Sequence, residues 1–142
     1  MKKIKKTKKG FTLVELIAVI AILAILGAVL IPRIGGYRQK ARKSNLQSSA
    51  KTIVNAIHAY NADKIGTESE AEPITDDMSV EAAVVKINEE VTTTVIKTSG
   101  DAYDELKGIT VGQLVTVSTG NFSLTTEGHL DVSKITAGSI ND

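Results

Sequence analysis

The sequence predicts an α+β protein in which one long N-terminal helix packs on a small antiparallel three-stranded β-meander. Three observations lead there. Residues 11–31 form an unbroken apolar run. Apolar or small residues then recur at Leu46, Ala50, Ile53, Ile57 and Tyr60, the spacing of a helix with one buried face. The last third carries three short runs of strand-forming residues separated by glycine-containing turns.

The apolar run, Phe11 to Ile31, has 21 residues, of which only Thr12 and Glu15 are strongly polar. As a helix it would be about 31 Å long, the thickness of a bilayer's hydrocarbon core. It is too long for an ordinary secretory signal, and Val29-Leu30-Ile31 offers no small-residue cleavage site after it. A membrane helix is therefore predicted over 11–31. Cations crowd both flanks, Lys2 to Lys9 before the run and Arg33 to Lys43 after it, so charge alone does not fix its orientation.

Two residues ask for more than a membrane anchor. Gly10 is a small residue between the lysine cluster and the apolar run, and could admit a protease upstream of the hydrophobic stretch. Glu15 places a carboxylate near a membrane helix at a cost of a few kcal/mol, so it needs a partner. Cleavage after Gly10 would supply one, the new amino group of Phe11.

The run K-K-G-F-T-L-V-E-L from Lys8, followed by apolar residues up to Ile31-Pro32, resembles the class III signal of type IV prepilins and pseudopilins. The resemblance is dense over Lys8 to Pro32 and weaker to about Tyr60. It implies cleavage after Gly10 by a membrane prepilin peptidase and N-methylation of Phe11. It also implies a contact between Glu15 and the Phe11 amine of a neighbouring subunit, and a leader, residues 1–10, that lies in the cytoplasm. The absence of a C-terminal cysteine pair points to the Gram-positive type.

The long helix is expected to run from Phe11 to about Ala62, with a membrane half and an amphipathic half. Its weak points are Gly27, Pro32, Gly35 and Gly36, because proline removes a backbone donor and each glycine disfavours helix by about 1 kcal/mol. A hinge is predicted within 27–36, and the resemblance implies the same, because pilin helices lose regularity near the matching proline on assembly. Residues 63–142 form the expected head. Asn61 to Met78, rich in acids and turn formers, reads as a connecting loop, and a short helix is predicted from Ser79 through Val80, Ala83, Val84 and Ile87. Val91 to Ile96 reads as a strand, and Asp101 to Lys107 as a turn or two of helix ended by Gly108. The meander is assigned to Leu114–Ser118, Phe122–Thr125 and His129–Val132, burying Val115, Val117, Phe122, Leu124, Leu130 and Val132 on the helix.

The formal net charge of +1 conceals segregated blocks. No acid lies between Glu15 and Asp63, whereas from Asp63 onward 15 acids face five cations. There is no cysteine, which removes thiol nucleophiles and thiolate metal sites, and His58 and His129 are too far apart in sequence to suggest a metal. Asp76-Asp77 reads as a solvated loop, and Asn121-Phe122-Ser123 as a hairpin turn that happens to fit a glycosylation sequon. The basic stretch 33–51 has only Tyr37 to stack a base, so nucleic acid is not an expected partner. No phosphate-binding loop or hydrolase motif occurs, and neither an enzyme nor a cofactor is expected. The expectation is a structural subunit that is processed by prepilin peptidase and driven by the pilus assembly platform and its ATPase. It would polymerise with other copies into an extracellular filament, serving motility, adhesion, biofilm formation or DNA uptake. The other readings are a pseudopilin of a type II secretion or DNA-uptake machine, a minor pilin, and a membrane-anchored binding module that never polymerises.

Overall fold

The computed structural model describes residues 10–64, 72–90 and 95–140, with 32–34 described by backbone only. The chain contains four helices in these residues: α1 (Leu13–Lys64), α2 (Val80–Glu90), α3 (Asp101–Leu106) and α4 (Val111–Thr119), followed by a 3-10 turn at Val132–Lys134. It divides into two compact units, one ending at Arg38 and one running from Gln39 onward. α1 contributes to both. Gly27, Pro32, Gly35 and Gly36 all lie inside α1, and a methyl group at any of the three glycines would meet nothing within 4 Å.

The unit from Gln39 has its own core. The predicted seam of α1 supplies Leu46, Ala50, Ile53 and Ile57, all 3% exposed or less, with Tyr60 packed at the edge. α2 turns Val80, Ala83, Val84 and Ile87 onto it, α3 adds Tyr103 and Leu106, and α4 adds Val111, Leu114 and Val117. These positions recur at three and four residues, the period of helices with one wet face. Ile74, Ile109, Phe122, Leu130, Ile135 and Ile140 close the core from the connecting segments.

The expected three-stranded meander is not present. Leu114–Ser118 is the centre of α4, and the two later runs form only one antiparallel bridge, Leu124 to Leu130. Local capping explains the first difference. The Thr110 hydroxyl accepts from the Gln113 N–H while the Gln113 side chain accepts from the Thr110 N–H, and Gly120, in a left-handed conformation, ends the helix. Burial then selects the helical face, since Val111, Leu114, Val117 and Ser118 point inward together. In the C-terminal run the hairpin stops at Asp131. Its carboxylate accepts from the Ser133 hydroxyl at 2.6 Å and pairs with Lys134 at 2.9 Å, drawing the chain into the 3-10 turn. Val132, expected in the core, is 43% exposed. Asn121 follows the end of α4 and is not a hairpin-turn residue. Of the strand expected at Val91–Ile96, residues 91–94 lie outside the described residues, and Val95 and Ile96 are not in a strand.

Side chains satisfy the backbone that strands would otherwise have paired. Asn61 holds Ile74 through both its amide oxygen, from the Ile74 N–H at 2.8 Å, and its NH₂, to the Ile74 carbonyl at 2.9 Å. Asn88 accepts from the N–H groups of Val95 and Ile96, each at 3.1 Å, and donates to the Ile96 carbonyl at 3.0 Å. Asp76, expected to be a solvated loop acid, accepts from the buried Ile140 N–H at 2.7 Å. Glu105 accepts from the Leu130 N–H at 2.9 Å and pairs with Arg42 of α1, with the His129 Nδ1 at 3.3 Å. Burial alone would raise the Glu105 carboxyl, but the Arg42 guanidinium, the Leu130 N–H and His129 outweigh it and hold it below the usual carboxylate range. Lys43 completes the attachment of α1, donating to the Phe122 carbonyl at 2.8 Å with its ammonium 4.9 Å from the Phe122 ring centre.

Candidate processing and assembly site

The N-terminal unit presents its apolar residues to the surroundings. Every large apolar side chain from Phe11 to Ile31 is at least half exposed, and none of the Leu13–Ile31 segment is buried. Exposure of even one such side chain forfeits roughly 1.5–3 kcal/mol of burial. A continuous surface of them therefore requires lipid or neighbouring helices. Leu13–Ile31 is the one segment among the described residues long and apolar enough to cross a membrane.

Gly10 and Phe11 precede the first turn of α1, without regular structure, and Phe11 is 87% exposed. Both residues are exposed, so the bond between them is accessible. The leader lysines, residues 1–9, lie outside the described residues.

Glu15 stands in the first turn of α1, where its own chain already engages it. The Thr12 N–H and the Thr12 hydroxyl both donate to Glu15 Oε2, at 2.9 and 2.8 Å, and the Glu15 N–H donates back to the Thr12 hydroxyl at 3.3 Å. This reciprocal arrangement is a capping box, which satisfies helix-start donors that would otherwise be exposed to hydrocarbon. A carboxylate here also lies at the positive end of the helix dipole. Oε2 carries both bonds, which leaves Oε1 to accept from another group. The T-x-x-E spacing from Thr12 to Glu15 is itself a helix-start signal in the sequence, distinct from any charge pairing of Glu15.

Elsewhere, His58 is exposed on α1 while His129 sits beside Glu105. Among the described residues, no group of three or more His, Asp and Glu side chains is placed to hold a metal ion.

Residues 5–31 match the family model for the prokaryotic N-terminal methylation motif, the class III signal peptide of type IV pilins. The chain is thus prepilin-like at its N-terminus, and its apolar helix fits the membrane anchoring of a pilin. No curated protein and no solved structure gives a significant match to the chain.

Proposed function

We propose that this chain is the structural subunit of a type IV pilus, processed after Gly10, methylated on Phe11 and polymerised through its N-terminal helix into a surface filament. The methylation motif at residues 5–31 carries this reading. The exposed apolar face of Leu13–Ile31 supports it, because the same surface can be covered by lipid before assembly and by neighbouring helices after it. The role is mechanical and not enzymatic.

In this mechanism the leader is removed and the helix waits in the membrane with Glu15 capped by Thr12. A neighbour's Phe11 amine then approaches the remaining carboxylate oxygen as the subunit enters the filament. Loosening within Gly27–Gly36 lets the helices settle, and the unit from Gln39 forms the outer surface. Prepilin peptidase and the assembly platform with its ATPase are the partners this sequence of events requires.

The test has two parts. Mass spectrometry of the mature protein should find an N-terminus at Phe11 carrying one added methyl group. Glu15→Ala and Glu15→Val should leave processing and membrane insertion intact while filament recovery falls at least about tenfold, the effect of losing one charge-assisted contact. Normal filament yield from either variant removes Glu15 from the mechanism. Antibody to the head, used in electron microscopy, distinguishes a pilus from a pseudopilin by whether long surface filaments carry the label.

A further inference from the structure

We propose that the outward face of α1, marked by Lys40 and Lys51, docks the acidic α2–α3 surface of a second copy of this chain; the proposal rests on the filament reading above. Lys40 and Lys51 are eleven residues apart, about three turns, so they stand on one line of the helix roughly 17 Å apart. Both are exposed, and neither has an ion-pair partner among the described residues. The other two cations of this stretch are committed to their own head, Arg42 to Glu105 and Lys43 to the Phe122 carbonyl and ring. The exposed positions between Lys40 and Lys51 include Ser44 and Ser48, and no acid occurs from Leu16 to Ala62. The face is positive and unopposed.

The complementary surface lies on the head. Glu81, in the first turn of α2, and Asp101, in the first turn of α3, are exposed and form no direct ion pair among the described residues, although Lys107 lies within electrostatic reach of Glu81. The Glu81 N–H donates to the Lys107 carbonyl at 3.3 Å, which places the start of α2 beside the end of α3. Lys107 is the cation within reach of Glu81, and Asp104 already holds it at 2.9 Å; Lys86 of α2 donates to the Glu72 carbonyl, and Lys97, four residues before Asp101, is exposed. Internal pairing thus uses Lys64, Lys107 and Lys134 on Glu90, Asp104 and Asp131, and leaves the excess acid of the head outward. One molecule cannot quench this segregation by itself, because its stem turns Arg42 and Lys43 inward and Lys40 and Lys51 outward. A second copy offers the opposite charge, and complementary surfaces of this kind set register as well as affinity.

Charge reversal tests it in cells that carry out prepilin processing and filament assembly, using the full chain. Lys40→Glu with Lys51→Glu, and separately Glu81→Lys with Asp101→Lys, should each lower the yield of sheared filaments about tenfold. All four substitutions together should restore the wild-type yield. Equal yields from every version overturn the proposal. Loss in both double variants without recovery in the combined one also overturns it, since the two surfaces then do not face each other. If the wild-type chain, correctly processed at Phe11, yields no filaments, the filament reading itself fails and this inference falls with it. Each half-variant changes only exposed side chains, and an unchanged circular dichroism spectrum and melting temperature confirm that the head is intact.

Discussion

Two carboxylates show how differently one functional group can be used in this chain. Glu15 sits exposed at the start of an apolar helix, stabilised by Thr12 through Oε2, with Oε1 left to accept from another group. Thr12→Ala removes the reciprocal half of the cap, and by the usual effect of N-cap loss should weaken the helix start by about 1 kcal/mol. Amide exchange at Leu13 to Leu16 should accelerate accordingly in detergent, while exchange beyond Gln39 stays unchanged. Glu105 has the opposite role, since it is largely buried and fixes α3 to Arg42 on α1 and to the Leu130 N–H. Its folded-state pKa lies below its ordinary value of 4.5, so its contribution is present above that value and is lost as pH falls through the depressed one. Glu105→Gln keeps the shape and removes the charge. It should lower stability at pH 7 by about 1.5–3 kcal/mol, the range for a hydrogen bond to a charged group. The gap between variant and wild type should close when urea unfolding is repeated in acid below the depressed value. A gap of the same size at both pH values would show that Glu105 acts by packing alone.

At the scale of elements, α4 separates what pattern reveals from what it conceals. Leu114-Val115-Thr116-Val117 has the residues of a strand, and Thr119-Gly120-Asn121 has the look of a hairpin turn, so local propensity favours a meander. The helix forms because Thr110 and Gln113 cap it, Gly120 closes it and the seam of α1 rewards its inward face. That last factor is tertiary and has no local trace, although Thr110-Val111-Gly112-Gln113 is a readable capping box. By contrast, α2 and the buried seam Leu46, Ala50, Ile53 and Ile57 were legible, because their 3.6-residue period and their burial agree. The Asn61, Asn88 and Asp76 contacts were not legible, since each joins a side chain to backbone whose approach depends on the finished fold. The N-terminal methylation motif was the most readable part, as its residues lie within one short stretch. Gly112 in α4 provides a direct test of the packing. A Cβ built there lies 2.7 Å from the Gly138 carbonyl oxygen and 3.2 Å from the Ala137 Cβ. Gly112→Ala must displace that C-terminal segment, at a cost of about 1–3 kcal/mol. The Gly138 N–H, which donates to the Gly112 carbonyl at 2.8 Å, should lose exchange protection while the helical signal of α4 persists.

For the whole molecule, the division at Gln39 separates two kinds of stability. The segment up to Arg38 buries nothing of its own across Leu13–Ile31 and depends on lipid or neighbours, whereas the unit from Gln39 encloses a complete core. The boundary falls within α1 and not at its end, because the outer half of that helix is a structural member of the head. Leu46, Ala50, Ile53 and Ile57 fill the space that α2, α3 and α4 surround, and Arg42, Lys43 and Gln47 bond to Glu105, Phe122 and Ser118 from the same helix. A fragment beginning at Gln39 should therefore be soluble without detergent and unfold in one cooperative transition, as small domains with a single core do. A fragment beginning at residue 65 keeps every later helix but loses those four core side chains. Replacing even one large buried residue by alanine costs about 2–5 kcal/mol, and a domain of this size has only about 5–15 kcal/mol in total. The shorter fragment should show no cooperative melt and should bind hydrophobic dyes. Cooperative folding of it would mean that the head carries an independent core and that the outer half of α1 merely rests against it.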